Sequence, residues 1–188
     1  LLVKRFDRQL AGTGYRRARM ISALTLLRSD ESPQGRAQWS YVALAEELRR
    51  VSARPEVDGI ELFRRMVFNA LISNSDDHPR NHALIAWKDS WRLSPAYDLT
   101  PTAPIALDRR DLALTIGDSG RYANAQNLLS QSRRFGLSHD DAATMLTQMA
   151  KHVTDRWQDA CRRAGVTDRD CERIAGAFVY PGFWLSTP

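Results

Sequence analysis

The strongest constraint on this chain is a nine-residue polar run, Asn74-Ser75-Asp76-Asp77-His78-Pro79-Arg80-Asn81-His82, set between an amphipathic segment and two short apolar ones. Pro79 lacks an N–H and disfavours helical backbone at the residue before it, so the run reads as a loop and not as a helix passing through. Upstream, Ile60, Phe63, Val67 and Leu71 recur at helical spacing, and Asp58 with Glu61 forms a capping-box-like start. A helix buried along one face is expected there, ending near Asn74. Downstream, Ala83 to Trp87 and Trp91 to Leu93 flank the polar turn Lys88-Asp89-Ser90 and read as a hairpin. It would return the chain to a second loop, Ser94 to Pro101, which holds Asp98 and has two prolines and no helical period.

Carboxylates from both loops would repel one another in a common cleft unless they shared a cation. Oxygen donors favour Mg²⁺, which is usually held by one or two carboxylates together with substrate phosphates, and ATP is the obvious source of those. Asp76 and Asn81 have the five-residue separation found between the catalytic Asp and the metal-binding Asn of protein kinases, whose second metal-binding Asp follows a hairpin. On that pattern Asp76 orients and deprotonates an attacking hydroxyl, Asn81 holds Mg²⁺, and Asp98 bridges Mg²⁺ to the phosphates. Asp77 is the alternative ligand or a loop-capping residue; the spacing to Asn81 favours Asp76. His78 and His82 are four apart, but Pro79 spoils a zinc-binding helical face. Arg80 could meet phosphate or a surface acid.

Elsewhere, Leu1 to Phe6 reads as a strand that ends in the turn-prone run Ala11-Gly12-Thr13-Gly14. Helices are expected over Ala18 to Leu27 and Tyr41 to Val51. Leu112 to Ile116 reads as a short strand or turn. From Ala123 the pattern is helical, with a long helix opened by Ser138 and Asp141 toward Ala164 and another from Thr167 to near Gly176. At 43% hydrophobic and 26% charged, a chain of 188 residues should fold, and no apolar run approaches the roughly 20 residues of a membrane span. The net charge of +5 comes from 24 Arg against 3 Lys, scattered along the chain, which argues against a dedicated nucleic-acid arm. Cys161 and Cys171, without partners at zinc-binding spacing, fit reduced thiols in a cytoplasm.

The runs Phe68-Asn69-Ala70-Leu71-Ile72-Ser73-Asn74-Ser75-Asp76-Asp77-His78-Pro79-Arg80-Asn81 and Leu93-Ser94-Pro95-Ala96-Tyr97-Asp98-Leu99 closely resemble the catalytic segments of HipA-type serine/threonine kinases, bacterial toxins of toxin–antitoxin pairs. Val3-Lys4-Arg5-Phe6-Asp7-Arg8 is similar to the family's segment joining the two kinase lobes. The resemblance implies that residues 1–188 form the large C-terminal lobe, mainly α within an α+β fold, with a small β-hairpin carrying the active loops. The family's small lobe lies upstream of the matching residues. The resemblance also implies adenine contacts around Lys4 and Phe6, where Lys4 replaces a commonly acidic residue, a ribose contact from Asp7, and a loop-supporting or phosphate-contacting role for His78. It implies ATP and Mg²⁺ as cofactors, a translation component as protein substrate, and a small HipB-like DNA-binding antitoxin as partner. Two rival readings remain at this point: a Mg²⁺-dependent phosphatase or nuclease using the same acidic cluster, and a non-catalytic, antitoxin-binding regulatory fragment.

Overall fold

A computed structural model describes residues 4–103 and 108–185, an α+β arrangement of seven helices and five strands among those residues. Two strands, β1 (Arg8–Ala11) and β2 (Gly14–Arg17), form an antiparallel ribbon about a tight turn in which Gly12 has φ +58°. That turn is where the glycines place it, but the strand expected over Leu1 to Phe6 is not: residues 1–3 lie outside the described region, and Lys4 to Phe6 carry no strand. Strand pairing begins only at Arg8, where the turn can bring a partner alongside.

The helix expected over Ala18 to Leu27 is also corrected. Arg19–Ser22 forms strand β3, and only Ala23–Leu26 is helical, as α1, with Ser22 accepting from the Thr25 N–H at its start. The reason is non-local. Strand β4 (Ala83–Ala86) is fully buried and bonds β3 on one edge and β5 (Trp91–Leu93) on the other, so the expected hairpin becomes the inner part of a three-stranded antiparallel sheet. A sheet edge presenting free N–H and C=O groups captures a chain that local periodicity would otherwise make helical.

Next come α2 (Pro33–Ala37), α3 (Tyr41–Val51) and α4 (Pro55–Leu71). Ser40 caps α3 by accepting from the Ala43 N–H, and Tyr41, Leu44, Ala45 and Leu48 line its buried face. Helix α4 buries Leu62, Phe63, Met66, Val67, Ala70 and Leu71. It starts three residues before Asp58, at Pro55, whose fixed φ suits a first helical turn. Asp58 therefore does not cap α4. Its buried carboxylate takes a bidentate bond from Arg92 together with bonds from the Leu93 N–H and the Ser52 hydroxyl, tying α4 to β5 and to the end of α3.

Residues 112–116 bury Leu112, Leu114 and Ile116 in alternation, but bend at 113–114 and make only one isolated bridge, from Thr115 to Ser40, and not a ladder. The helical C-terminal part follows the sequence reading: α5 (Ala125–Ser130), the long α6 (His139–Arg163) capped by Ser138, and α7 (Asp168–Ile174) capped by Thr167. Helix α6 packs Ala142, Leu146, Ala150 and Val153 at three- and four-residue intervals into a core shared with α4 and α5. Residues 175–185 then fold back against the end of α4, where the Val179 N–H donates to the Leu71 carbonyl at 2.8 Å and the Ser73 hydroxyl to the Ala177 carbonyl at 2.6 Å.

Candidate active site

The polar run leaves α4 through Ser73, a non-glycine residue with φ +54°, makes a single 3-10 turn over Pro79–Asn81, and enters β4. Pro79 sits at the first position of that turn, which costs no hydrogen bond. Asp76 is exposed, and Asn81 is buried with its side-chain amide donating to the Asp76 carbonyl at 3.2 Å. The Asn81 side-chain carbonyl oxygen accepts no hydrogen bond from the described residues and is free for another donor or a cation.

Asp77 does the opposite of its neighbour. Its side chain is fully buried, accepting from the Tyr41 hydroxyl on one oxygen and from His82 Nε2, at 2.9 Å, on the other. The His82 ring meets Tyr41 edge-on, at 5.3 Å between centroids. Both Asp77 oxygens are thus satisfied in the interior, while His82 Nδ1 is buried without a partner among the described residues, where no three His, Cys, Asp or Glu side chains gather as a metal set. A cation here would instead draw on a mixed set of carboxylate and amide oxygens.

Three hydrogen bonds join this loop to the one carrying Asp98. The Asn74 amide donates to the Asp98 carbonyl at 3.4 Å, the Ser75 hydroxyl to Thr102 Oγ1 at 3.4 Å, and the Tyr97 hydroxyl to the Arg80 carbonyl at 2.6 Å. Asp98 has an exposed side chain and φ +58°, an uncommon conformation for a residue with a Cβ. Asp76, Asn81 and Asp98 are therefore held on adjoining loops. Burial pushes the Tyr97 hydroxyl above its ordinary pKa, with Arg65 acting to lower it and Asp98 to raise it further. The phenol thus remains a donor at neutral pH.

The segment around Phe6 reaches the same place through Tyr97, whose ring lies 5.8 Å from that of Phe6. Lys4 is exposed. Asp7 is engaged by a bidentate bond from Arg5, at 2.6 and 2.7 Å, which holds its carboxyl below the usual carboxylate range. On the other side Asp76 and His78 open into a cleft of about 290 Å³ whose wall includes Arg36, Arg80, Arg121 and Trp39. His78 Nδ1 is buried there without a hydrogen-bond partner among the described residues. Neither Tyr97 nor Tyr41 was singled out by the sequence; an aromatic residue directly before Asp98 was the available signal for the first.

The model of the HipA-like C-terminal domain family matches residues 1–157. The chain belongs to that family. Its HipA-like fold is also that of the HipA toxin of Shewanella oneidensis MR-1, solved with HipB and operator DNA: the TM-score is 0.69 at 17% identity, over 93% of this chain and 45% of that one. A 72-residue stretch is 35% identical to Y4mE of Sinorhizobium fredii, a protein provisionally named a kinase, covering 38% of this chain and 17% of that protein. This HipA-like chain thus spans less than half the length of either relative. Among the described residues no helix is long and apolar enough to cross a membrane.

Proposed function

We propose that this HipA-like lobe is the large catalytic lobe of an ATP-dependent serine/threonine protein kinase, transferring the γ-phosphoryl group to a protein hydroxyl. The observation that supports this reading most is the joining of two loops, distant in sequence, by the Asn74–Asp98, Ser75–Thr102 and Tyr97–Arg80 bonds. That joining sets two exposed carboxylates and a side-chain amide oxygen on adjoining segments, a donor set that suits Mg²⁺. Asn81 and Asp98 would hold the cation; when bound, it would offset the charge of the phosphates. Asp76 orients the acceptor hydroxyl and takes its proton. Arg36 and Arg121 of the adjoining cleft give that hydroxyl's surroundings a positive character, while Arg80 pairs there with Glu31 and His78 lines the same cleft. Lys4 and Phe6 would border the adenine, with Phe6 seated against Tyr97, and Asp7 would approach the ribose. A HipB-like antitoxin is the natural partner, since the Shewanella relative is a complex of HipA with HipB and operator DNA.

The test is Mg²⁺-dependent ATP binding and phosphoryl transfer, measured for this chain and for the chain fused to a small kinase lobe of the family. Asp98→Asn should abolish Mg²⁺-dependent binding. Asp76→Asn should leave binding in place and lower transfer by about 10²–10⁴-fold, the usual worth of a positioned general base. Mg²⁺-dependent ATP binding in the fused protein that survives Asp98→Asn unchanged, phosphoryl transfer that survives Asp76→Asn unchanged, or ATP hydrolysis that needs no acceptor protein, would remove the kinase reading.

A further inference from the structure

We infer that Asp77 is a positioning residue: its buried carboxylate terminates a continuous line of side-chain hydrogen bonds that sets the loop of Asp76 and Asn81 against the loop of Asp98. The inference rests on the reading of those loops as a catalytic pair. The line begins at the Asp98 carbonyl, which accepts from the Asn74 amide at 3.4 Å. The same amide donates to Asn69 Oδ1 at 3.1 Å, the Asn69 amide donates to the Tyr41 hydroxyl at 3.0 Å, and that hydroxyl donates to Asp77. His82 closes the line from the other side, donating to the second Asp77 oxygen at 2.9 Å. Asn69, Tyr41, Asp77 and His82 are essentially inaccessible to solvent, and Asn74 is 2% exposed.

Between Asn74 and Asp77 the donors all point toward Asp77. A carboxylate is the side chain that can accept at both ends of such an arrangement while offering no donor of its own. An amide there would press an NH₂ group against the Tyr41 hydroxyl or against His82. Bonds aligned in this way polarise one another in a low-dielectric interior, so losing one link weakens its neighbours. The line also accounts for the division between adjacent aspartates: with Asp77 drawn inward, Asp76 is left facing the cleft. At its far end the line grips the backbone of Asp98, whose φ of +58° is disfavoured without such support.

A purely structural role for this network predicts lower stability and nothing else. Tyr41→Phe keeps the ring against His82 and removes only the hydroxyl. Two readouts are followed: in the 188-residue chain, amide hydrogen exchange over residues 75–82 and 96–100, and, in the fusion with a small lobe, the Mg²⁺ concentration giving half-maximal ATP binding. Leu128→Ala, in the core at α5, serves as the destabilised control. Tyr41→Phe should speed exchange in both loops together and raise the Mg²⁺ requirement, each by about tenfold, the equivalent of one lost hydrogen bond. Leu128→Ala should lower the melting temperature without either change. Asn69→Ala, which breaks the same line one bond away, should reproduce the Tyr41→Phe pattern. Faster exchange in the 75–82 loop alone, or the same paired change in Leu128→Ala, overturns the inference. If the unaltered fusion binds no Mg²⁺-ATP, the kinase reading fails, while the exchange data still decide whether Asp77 couples the loops.

Discussion

The Tyr97 hydroxyl donates to the Arg80 carbonyl across 2.6 Å, so the residue just before Asp98 is fastened to the 3-10 turn that ends in Asn81. The same ring lies 5.8 Å from that of Phe6, near the start of the described chain. One side chain thus links its own loop to two other segments of the candidate site.

Tyr97→Phe isolates the hydroxyl, because the phenyl ring remains to pack on Phe6. The lost bond is worth about 1 kcal/mol of stability. Melting curves should show a drop of about 2–4 °C for a chain of this size. ATP binding in the small-lobe fusion should weaken several-fold. An unchanged affinity alongside the expected melting shift would mean that the Tyr97–Arg80 bond does not hold the two loops in register.

Asp58 gives a prediction in pH. Burial alone would raise its pKa, but bonds from Arg92, Ser52 and the Leu93 N–H outweigh burial and hold it below the ordinary carboxylate value. A depressed folded pKa stabilises the fold above the unfolded pKa of about 3.9, and that stability is lost as the pH falls through the folded value. Asp58→Asn should cost about 2–3 kcal/mol near neutrality, below the range for breaking a fully buried pair because Arg92 is partly exposed. The variant should also show a shallower loss of stability between pH 4 and lower pH, read by urea denaturation at several pH values. Parallel acid profiles for the two proteins would assign the acid sensitivity elsewhere.

Gly182 tests the C-terminal return. The Tyr180 hydroxyl donates to the Ala123 carbonyl at 2.9 Å, Phe183 is fully buried, and the backbone of Asp108 passes so close to Gly182 that a Cβ would overlap its carbonyl. The overlap is with backbone, which cannot swing aside. Gly182→Ala should therefore lower stability by about 1–3 kcal/mol, as overpacking does. Differential scanning calorimetry would register this, and a variant that melts with the unaltered protein would show that residues 175–185 do not belong to the cooperative core.

Much of this architecture can be read from local signals. Ser138 and Thr167 mark helix starts because a hydroxyl one residue before a helix satisfies an N–H within reach, a matter of three residues. Pro79 keeps the polar run from being a continuous helix for an equally local reason, while α4 itself ends earlier, at Leu71. Arg19–Ser22 was misread because its strand character comes from Ala83–Ala86, more than sixty residues away. Asp58 looked like a cap because Glu61 follows it, while its actual partners stand on β5 and at the end of α3. The C-terminal return, past the end of the family match at residue 157, left no periodic trace in the sequence.

The sequence by itself determined that a polar, proline-broken loop follows a buried helix, that a hairpin separates it from a second loop bearing Asp98, and that Asp76 and Asn81 stand five residues apart. Spacing and turn chemistry act over a few residues and are written in the order of the chain. Only the tertiary structure decided which of two adjacent aspartates faces the cleft and which is buried. That choice belongs to Tyr41 and His82, since a carboxylate enters a protein interior only where donors already wait for it, and one of those donors comes from a different helix.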